Sequence, residues 1–350
     1  MFFGRQANKN YPGKNLVWFL YPLLLFVIAT GACSQPKKVH IHDPVMIKHT
    51  DTYYLFCTGW GISIFSSKDL RDWNYQGRVF KEPPMWAKKD VPGFKGHIWA
   101  PDIAYRNGKY YLYYSVSAFG KNTSCIGVVI NTTLDQDDPE YKWEDHGMVV
   151  QSVPGRDLWN AIDPNLILDE EGDPWLTFGS FWQGLKLVKL QKSMLQIEIP
   201  EQWYTIAKRH RDPNTSDIDP GDGAVEAPFI FRKNDYYYLF ASFDFCCRGV
   251  NSNYKIMVGR SDSITGPYLD KNGMDMFHGG GTPVLEGDER FPGVGHNSVY
   301  TFDGTDYLIF HAYDAANNGE PKLRIVELNW DKSGWPLIKP FSELDCKILN

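Results

Sequence analysis

Five times along this chain a short polar or acidic head is followed by an apolar run, a turn and an aromatic run. The heads are Asp43 (DPVMIKHTDTYYLFC), Asp102 (DIAYRNGKYYLYYS), Asp163 (DPNLILDEEGDPWLTFGS), Glu226 (EAPFIFRKNDYYYLFAS) and Asn297 (NSVYTFDGTDYLIFHA). Turn residues separate the two runs at His49 to Thr52, Asn107-Gly108, Glu170 to Asp173, Lys233 to Asp235 and Asp303 to Asp306. Short apolar and aromatic runs about such turns predict β-hairpins, and Asn-Gly is the strongest local signal of one. The second run of each pair, such as Tyr110-Tyr111-Leu112 or Tyr237-Tyr238-Leu239, predicts a strand rich in large rings.

Successive heads lie 59, 61, 63 and 71 residues apart. A near-regular spacing of that kind signals one repeated supersecondary unit. Segments Ser66 to Trp73 and Arg260 to Tyr268 follow an aromatic run at similar intervals and predict a third strand with an outer turn. Units of about sixty residues and four strands match propeller blades, so the pattern predicts an all-β, five-bladed β-propeller. A β-sandwich also has many short strands but does not predict a recurring head. Segments 80–96, 151–158 and 209–223 are rich in Pro, Gly and Asp and predict loops at a rim. No long amphipathic helix is evident.

The chain has 350 residues, 43% of them hydrophobic and 15% aromatic, enough for a large core and for flat surfaces that stack on sugars. A formal net charge of −6 without a run of Lys and Arg argues against a nucleic-acid partner. At the N-terminus Arg5, Lys9 and Lys14 precede an apolar stretch from Leu16 to Ala29, short for a membrane span and suited to a signal-peptide core. Thr30, Gly31 and Ala32 then precede Cys33. Residues 1–33 thus read as a lipoprotein-type signal ending at a lipidated cysteine, 34–40 as a tether and 41–350 as the propeller. That organisation implies a bacterial cell-envelope location, with a lipid anchor as the one membrane contact and a monomeric domain. The other cysteines, Cys57, Cys125, Cys246, Cys247 and Cys346, form no zinc or disulfide framework, and the adjacent pair reads as two packed thiols, with a vicinal disulfide as the alternative.

In a propeller the first strand of every blade lines the central channel, so residues far apart in sequence meet at one axis. Asp43, Asp163 and Glu226 are therefore expected to converge. Carboxylates brought together raise one another's proton affinity, so one can stay protonated while another is ionised. Such a pair is the equipment for cleaving a glycosidic bond. Asp before Pro is also a common turn starter, and the residues alone leave a catalytic set, a metal site or a structural polar ring open.

Six ordered motifs narrow this: His42-Asp43-Pro44, Ile98-Trp99-Ala100-Pro101-Asp102, Ile162-Asp163-Pro164-Asn165, Gly179-Ser180-Phe181-Trp182, Val225-Glu226-Ala227-Pro228 and Gly295-His296-Asn297-Ser298. Together they resemble glycoside hydrolase family 43, and Phe243 to Ser261 (FDFCCRGVNSNYKIMVGRS) is similar to its arabinanase branch. The resemblance implies an inverting glycosidase with Asp43 as general base, Glu226 as general acid and Asp163 tuning and orienting that acid. It implies a cation, usually calcium, facing His296. Trp99, Asn165, Phe119, Ser180 and Trp182 are the candidate substrate-binding residues, while Asp102 and His311 read as structural supports. The substrate implied is α-1,5-linked L-arabinan, cut internally. An exo-acting arabinanase, an α-L-arabinofuranosidase or a β-xylosidase is the alternative. A non-catalytic sugar-binding propeller would be expected to lack one of the carboxylates. A sucrose-type fructosidase would carry arginine where Ile162 stands.

Overall fold

The computed structural model describes residues 40–339, so the leader ending at Cys33, the tether to residue 39 and the last residues of the predicted domain lie outside the described residues. Four of the five predicted hairpins close with two-residue turns, between His49 and Thr52, Arg106 and Lys109, Lys233 and Tyr236, and Phe302 and Thr305. Asn107 and Gly108 both have positive φ (50° and 77°), as do Asp303 and Gly304 (51° and 84°), which matches the right-handed twist of the flanking strands.

Each hairpin opens one blade. The first blade runs outward through Val45–His49, Thr52–Cys57, Ser63–Ser67 and Asn74–Arg78. The second comprises His97–Arg106, Lys109–Val116, Ser124–Asn131 and Glu144–Ser152, and Gly59–Trp60 pairs with its innermost strand. The third comprises Asn165–Leu168, Pro174–Phe178, Leu185–Lys189 and Trp203–Ala207. The fourth comprises Val225–Lys233, Tyr236–Phe243, Lys255–Ser261 and Thr282–Leu285. The fifth has three strands, Val294–Phe302, Thr305–Asp314 and Glu320–Glu327. At its outer edge His40 bridges Lys322, and the Ile41 amide donates to the Pro321 carbonyl at 3.3 Å. The start of the described chain is thereby stitched to its last blade.

The aromatic second strands are buried on both faces because each lies between neighbouring blades. Tyr110 to Val116 and Tyr237 to Phe243 are buried without interruption, which is why these strands read as continuous apolar runs rather than alternating ones. Five hydrophobic clusters result, one for each junction between adjacent blades. The cluster that closes the ring joins Met46, Leu55 and Trp73 of the first blade to Phe302, Ile309 and Ile325 of the fifth.

The structure corrects the register of the repeat. The equivalent inner-strand positions with left-handed backbone are Asp43 (φ 54°), Ala100 (41°), Asp163 (60°), Ala227 (52°) and His296 (48°). Where pairing continues across them, between Trp99 and Asp102, Glu226 and Phe229, and Gly295 and Ser298, the ladder is bulged. Asp102 therefore lies two residues beyond the true head, Glu226 one residue before it and Asn297 one residue after it. Sequence spacing could not resolve this, because a bulge inserts a residue without changing the apolar pattern around it.

One layer further along the channel, side chains brace adjacent inner strands. Asp102 Oδ2 accepts from the Leu166 amide (2.7 Å) and from Asn165 Nδ2 (3.4 Å), while Asn165 Oδ1 accepts from the Ile230 amide (2.9 Å). Burial pushes the Asp102 carboxyl up to about 7, against the hydrogen bonds that favour its charge. Asp102→Ala leaves the buried Leu166 amide unpaired and should cost about 1–3 kcal/mol in denaturant unfolding. Asp102→Asn keeps an acceptor there and should cost less. The unfolded carboxyl ionises near its ordinary value while the folded one holds its proton to about 7, so wild type loses stability over that interval. Its advantage over Asp102→Asn should accordingly shrink as pH rises from about 4 to 7, which unfolding curves across that range measure.

Candidate active site

The left-handed heads determine what faces the channel mouth. Each head amide is turned toward the preceding blade and donates there to a side chain. Ala100 donates to Thr58 Oγ1 (2.8 Å), Asp163 to Ser115 Oγ (3.0 Å), Ala227 to Asp163 Oδ2 (3.1 Å), His296 to Ser242 Oγ (2.8 Å) and Asp43 to His311 Nδ1 (3.2 Å). Asp tolerates this backbone because its short polar side chain can bond locally.

Asp43 is buried and surrounded by donors. Its Oδ1 lies 2.6 Å from His42 Nδ1 and 3.0 Å from His296 Nδ1, and Thr58 Oγ1 donates to its Oδ2 at 2.5 Å. Burial works to raise its proton affinity, but the charge of His296 and the hydrogen bonds from His296 and His42 outweigh it and hold the carboxyl well below the usual carboxylate range. Burial likewise works to strip His296 of its proton, yet Asp43, Asp163 and Glu226 together raise that imidazole to about 9. His311 behaves oppositely. It is fully buried, held neutral by that burial, and uses Nδ1 as an acceptor beneath Asp43.

Asp163 and Glu226 form the opposing side. Burial, reinforced by the charges of Glu226 and Asp43, pushes Asp163 up to about 8. Glu226 is gripped at both oxygens, with Ser180 Oγ donating to Oε2 (2.7 Å) and Tyr254 Oη to Oε1 (2.8 Å). The structure therefore brings all three predicted carboxylates into electrostatic contact around His296, one held charged and one held protonated. That is a division of labour suited to acid–base chemistry on a single bond.

The donor set near His296 also bears on a metal. His296 Nδ1 is committed to Asp43, leaving Nε2 as its one nitrogen free to ligate. His42, Asp43 and His311 place ligand atoms within 4.8 Å of one another, but His311 Nδ1 receives the Asp43 amide and His42 Nδ1 faces the Asp43 carboxylate. A hard ion such as calcium takes six to eight oxygens. One imidazole within a ring of carboxylates fits a cation that draws most of its shell from water.

The candidate sugar contacts separate into two groups. Phe119 is 80% exposed, and Trp99 is half-buried with its Nε1 donating to His97 Nδ1 (3.0 Å), so both keep ring surface available. Three others are buried and bonded within the protein. Trp182 is 3% exposed and its Nε1 donates to the Asp217 carbonyl (2.9 Å), pinning the rim loop. Asn165 is 2% exposed, with its amide consumed between Asp102 and Ile230. Ser180 is buried and spends its hydroxyl on Glu226. Each combines an aromatic or polar side chain with a motif position, which sequence cannot distinguish from a surface contact. Cys246 and Cys247 are joined in a vicinal disulfide, not left as two thiols, because the chain reverses at Cys247 (φ 62°) and turns their side chains together. Arg248 lies over the Phe245 ring, 3.8 Å from its centroid.

Three contributors escaped the sequence reading. Thr58 carries no motif, yet it joins Asp43 to the Ala100 amide. His42 and Tyr254 lie inside quoted motifs, but only the fold places them against Asp43 and Glu226.

Comparison with known proteins follows the geometry. The profile of Glycosyl hydrolases family 43 matches residues 37–336. An extracellular exo-α-(1→5)-L-arabinofuranosidase of Cellvibrio japonicus is 54% identical, covering 93% of each chain. An extracellular endo-α-(1→5)-L-arabinanase of Bacillus subtilis is 46% identical over 85% of this chain and 87% of its own. Among solved structures, the α-L-arabinanase of Cellvibrio cellulosa in complex with arabinohexaose superposes with a TM-score of 0.86 at 53% identity, covering 89% of this chain and 98% of that one. A propeller whose charged and protonated carboxylates share one channel mouth thus carries the sequence of its relatives over nearly its whole length, and the chain belongs to glycosyl hydrolase family 43.

Proposed function

We propose that this chain hydrolyses α-1,5-linked L-arabinan, cutting within the polymer and inverting the anomeric carbon. The observation that carries the reading is the opposed state of the carboxylates: Asp43 is held ionised by imidazoles while Asp163, beside Glu226, is held protonated. Asp43 takes a proton from water as that water attacks the anomeric carbon. Glu226 gives its proton to the departing oxygen. As Glu226 becomes charged, the hydroxyls of Ser180 and Tyr254 both donate to it, which stabilises the product carboxylate where it forms. Asp163 keeps a proton at hand and accepts from the Ala227 amide, fixing the backbone next to Glu226. Trp99 and Phe119 offer ring faces for furanose units.

Support for arabinan comes from the two relatives named for α-(1→5)-linked arabinose polymers, and the 46% identical endo-arabinanase supports internal cleavage. The second reading, removal of units from a chain end, is favoured by the 54% identical exo-acting relative. Long intermediates early in digestion of linear arabinan support the first; short products alone from the outset establish the second. Glu226→Gln and Asp43→Asn should each lower kcat by about 10²–10⁴-fold, the usual worth of a positioned acid or base. No hydrolysis of arabinan or aryl arabinosides by wild type would overturn the assignment.

A pH profile probes the protonated side. With Asp163 pushed up to about 8, kcat/KM should fall on the alkaline side near that pH as Asp163 loses its proton and a new negative charge appears beside Glu226. Asp163→Asn removes the group that titrates there, so the alkaline limb near pH 8 should be lost.

We also propose that His296, on giving up its Nε2 proton, would hold a calcium ion through that nitrogen, with water completing the shell, and that the ion would then supply the positive charge beneath the carboxylates that the imidazolium supplies otherwise. Exhaustive chelation should lower activity several-fold with recovery on calcium addition, and calorimetric titration should find no calcium uptake by His296→Ala. Export and lipid attachment at Cys33 complete the proposal; the relatives' extracellular designation supports export, and Cys33→Ala, which tests the attachment, should release the enzyme from membrane fractions.

A further inference from the structure

The vicinal disulfide lies one hydrogen-bonded chain away from Asp43. The Cys247 amide donates to Tyr313 Oη at 2.8 Å, and Tyr313 Oη is 2.8 Å from His42 Nε2. His42 Nδ1 faces the ionised Asp43 carboxylate and is therefore the nitrogen that donates, so in the neutral ring Nε2 accepts and takes the Tyr313 hydrogen in preference to the more distant Cys247 Sγ. His42 then carries its hydrogen on Nδ1, which sits 2.6 Å from Asp43 Oδ1. Four groups are thus aligned in one direction, from amide to phenol to imidazole to carboxylate.

Both ends of this relay are built rigidly. The His42 ring stacks on His311, 4.0 Å between centroids, and meets Tyr313 edge-on at 6.0 Å. Burial raises the Tyr313 phenol and keeps it protonated. On the loop side, Phe245 and Asn253 exchange bonds of 3.0 and 3.1 Å, and the Arg248 amide donates to Ser252 Oγ at 3.1 Å. Between those anchors Cys247 has left-handed backbone (φ 62°), which a non-glycine residue adopts only when its surroundings impose it. The bond to Cys246 is the covalent constraint on that turn. Cys247 is exposed, and its Sγ lies 3.8 Å from both His42 Nε2 and Tyr313 Oη.

We propose that the Cys246–Cys247 disulfide is a positioning element for the reaction, holding the Cys247 amide on Tyr313 so that Tyr313 and His42 fix the orientation of Asp43. This rests on the reading of Asp43 as general base. Opening the disulfide removes the constraint on the turn. A dithiol reductant supplies the two electrons and two protons: one thiolate attacks Cys247 Sγ and displaces the Cys246 thiolate, and the reductant's second thiol then releases Cys247 and leaves as a cyclic disulfide. The products are two cysteine thiols, and the relay loses its first member.

The test uses the full chain before and after treatment with dithiothreitol, with mass spectrometry following the gain of two hydrogens. Reduction should lower kcat on arabino-oligosaccharides by about 2–10-fold, the scale of a single hydrogen bond between neutral partners, and leave KM within about twofold. Activity should return on reoxidation. Tyr313→Phe should have a similarly lowered kcat that reduction changes no further, since the two changes break one chain. Unchanged kcat in fully reduced wild type overturns the proposal, as does an equal further loss on reducing Tyr313→Phe. Nitrogen-15 shifts of His42 give a readout independent of turnover: the Nδ1–H tautomer in the oxidised protein should become mixed on reduction. An inactive wild type showing that tautomer change sinks the hydrolase reading while the relay stands, whereas an active wild type with unaltered shifts sinks the relay alone.

Discussion

The architecture depends on one backbone event repeated five times: an inner-strand residue enters the left-handed region and gives its amide to the blade before it. Such a conformation costs a non-glycine residue of order 1–3 kcal/mol, and here it is offset by a cross-blade hydrogen bond in a buried setting. Hydrophobic clusters between blades supply cohesion, but they are non-directional. The head amides supply direction, setting how each blade is seated against the last. They also bulge the inner strand at the channel mouth, where side chains become available for chemistry.

Burial has opposite consequences at two heads a few residues apart in space. It pushes Asp163 up to about 8, where two further carboxylates add to the effect. At Asp43 the same burial is overcome by two imidazoles. The difference lies in neighbours, since both carboxyls are nearly removed from solvent. His296 links the two sides: it is raised to about 9 by the carboxylates and returns a positive charge that keeps Asp43 ionised. An acid and a base are thus obtained from one residue type by controlling which charges stand nearby.

Much of this was legible in the sequence. The period, the hairpin turns and the convergence of Asp43, Asp163 and Glu226 all follow from local pattern plus the closure of a propeller. The register did not, because Ala100, Ala227 and His296 occupy the equivalent left-handed position without any shared side-chain chemistry. Nor did the roles of Asn165, Ser180 and Trp182, whose partners Ile230, Glu226 and Asp217 are remote in sequence. A motif records that a residue type is required; its surroundings decide whether the requirement is contact with a ligand or support for another residue. Thr58 and Tyr313 were invisible for the complementary reason: one sits in the bend after a strand and the other within a strand, and a neighbouring blade makes each important.

Departure from the repeat marks the site more sharply than the repeat does. In three blades the acceptor for the next head amide is a hydroxyl near the end of the second strand: Thr58, Ser115 or Ser242. Ser180 follows the second strand of the third blade, yet its hydroxyl is bound to Glu226, and the Asp163 carboxylate takes over the Ala227 amide. In the fifth blade an imidazole, His311, replaces the hydroxyl and supports Asp43 instead. A symmetric ring of hydroxyls would satisfy the backbone equally well with fewer buried charges. Both exceptions fall beside carboxylates of the proposed reaction: one orients Glu226 and draws Asp163 toward the Ala227 amide, while the other seats Asp43 on a neutral ring. A purely structural polar ring gives no physical reason for the breaks to coincide with the acids, whereas a pair of groups that must hold and take protons requires their supports to differ.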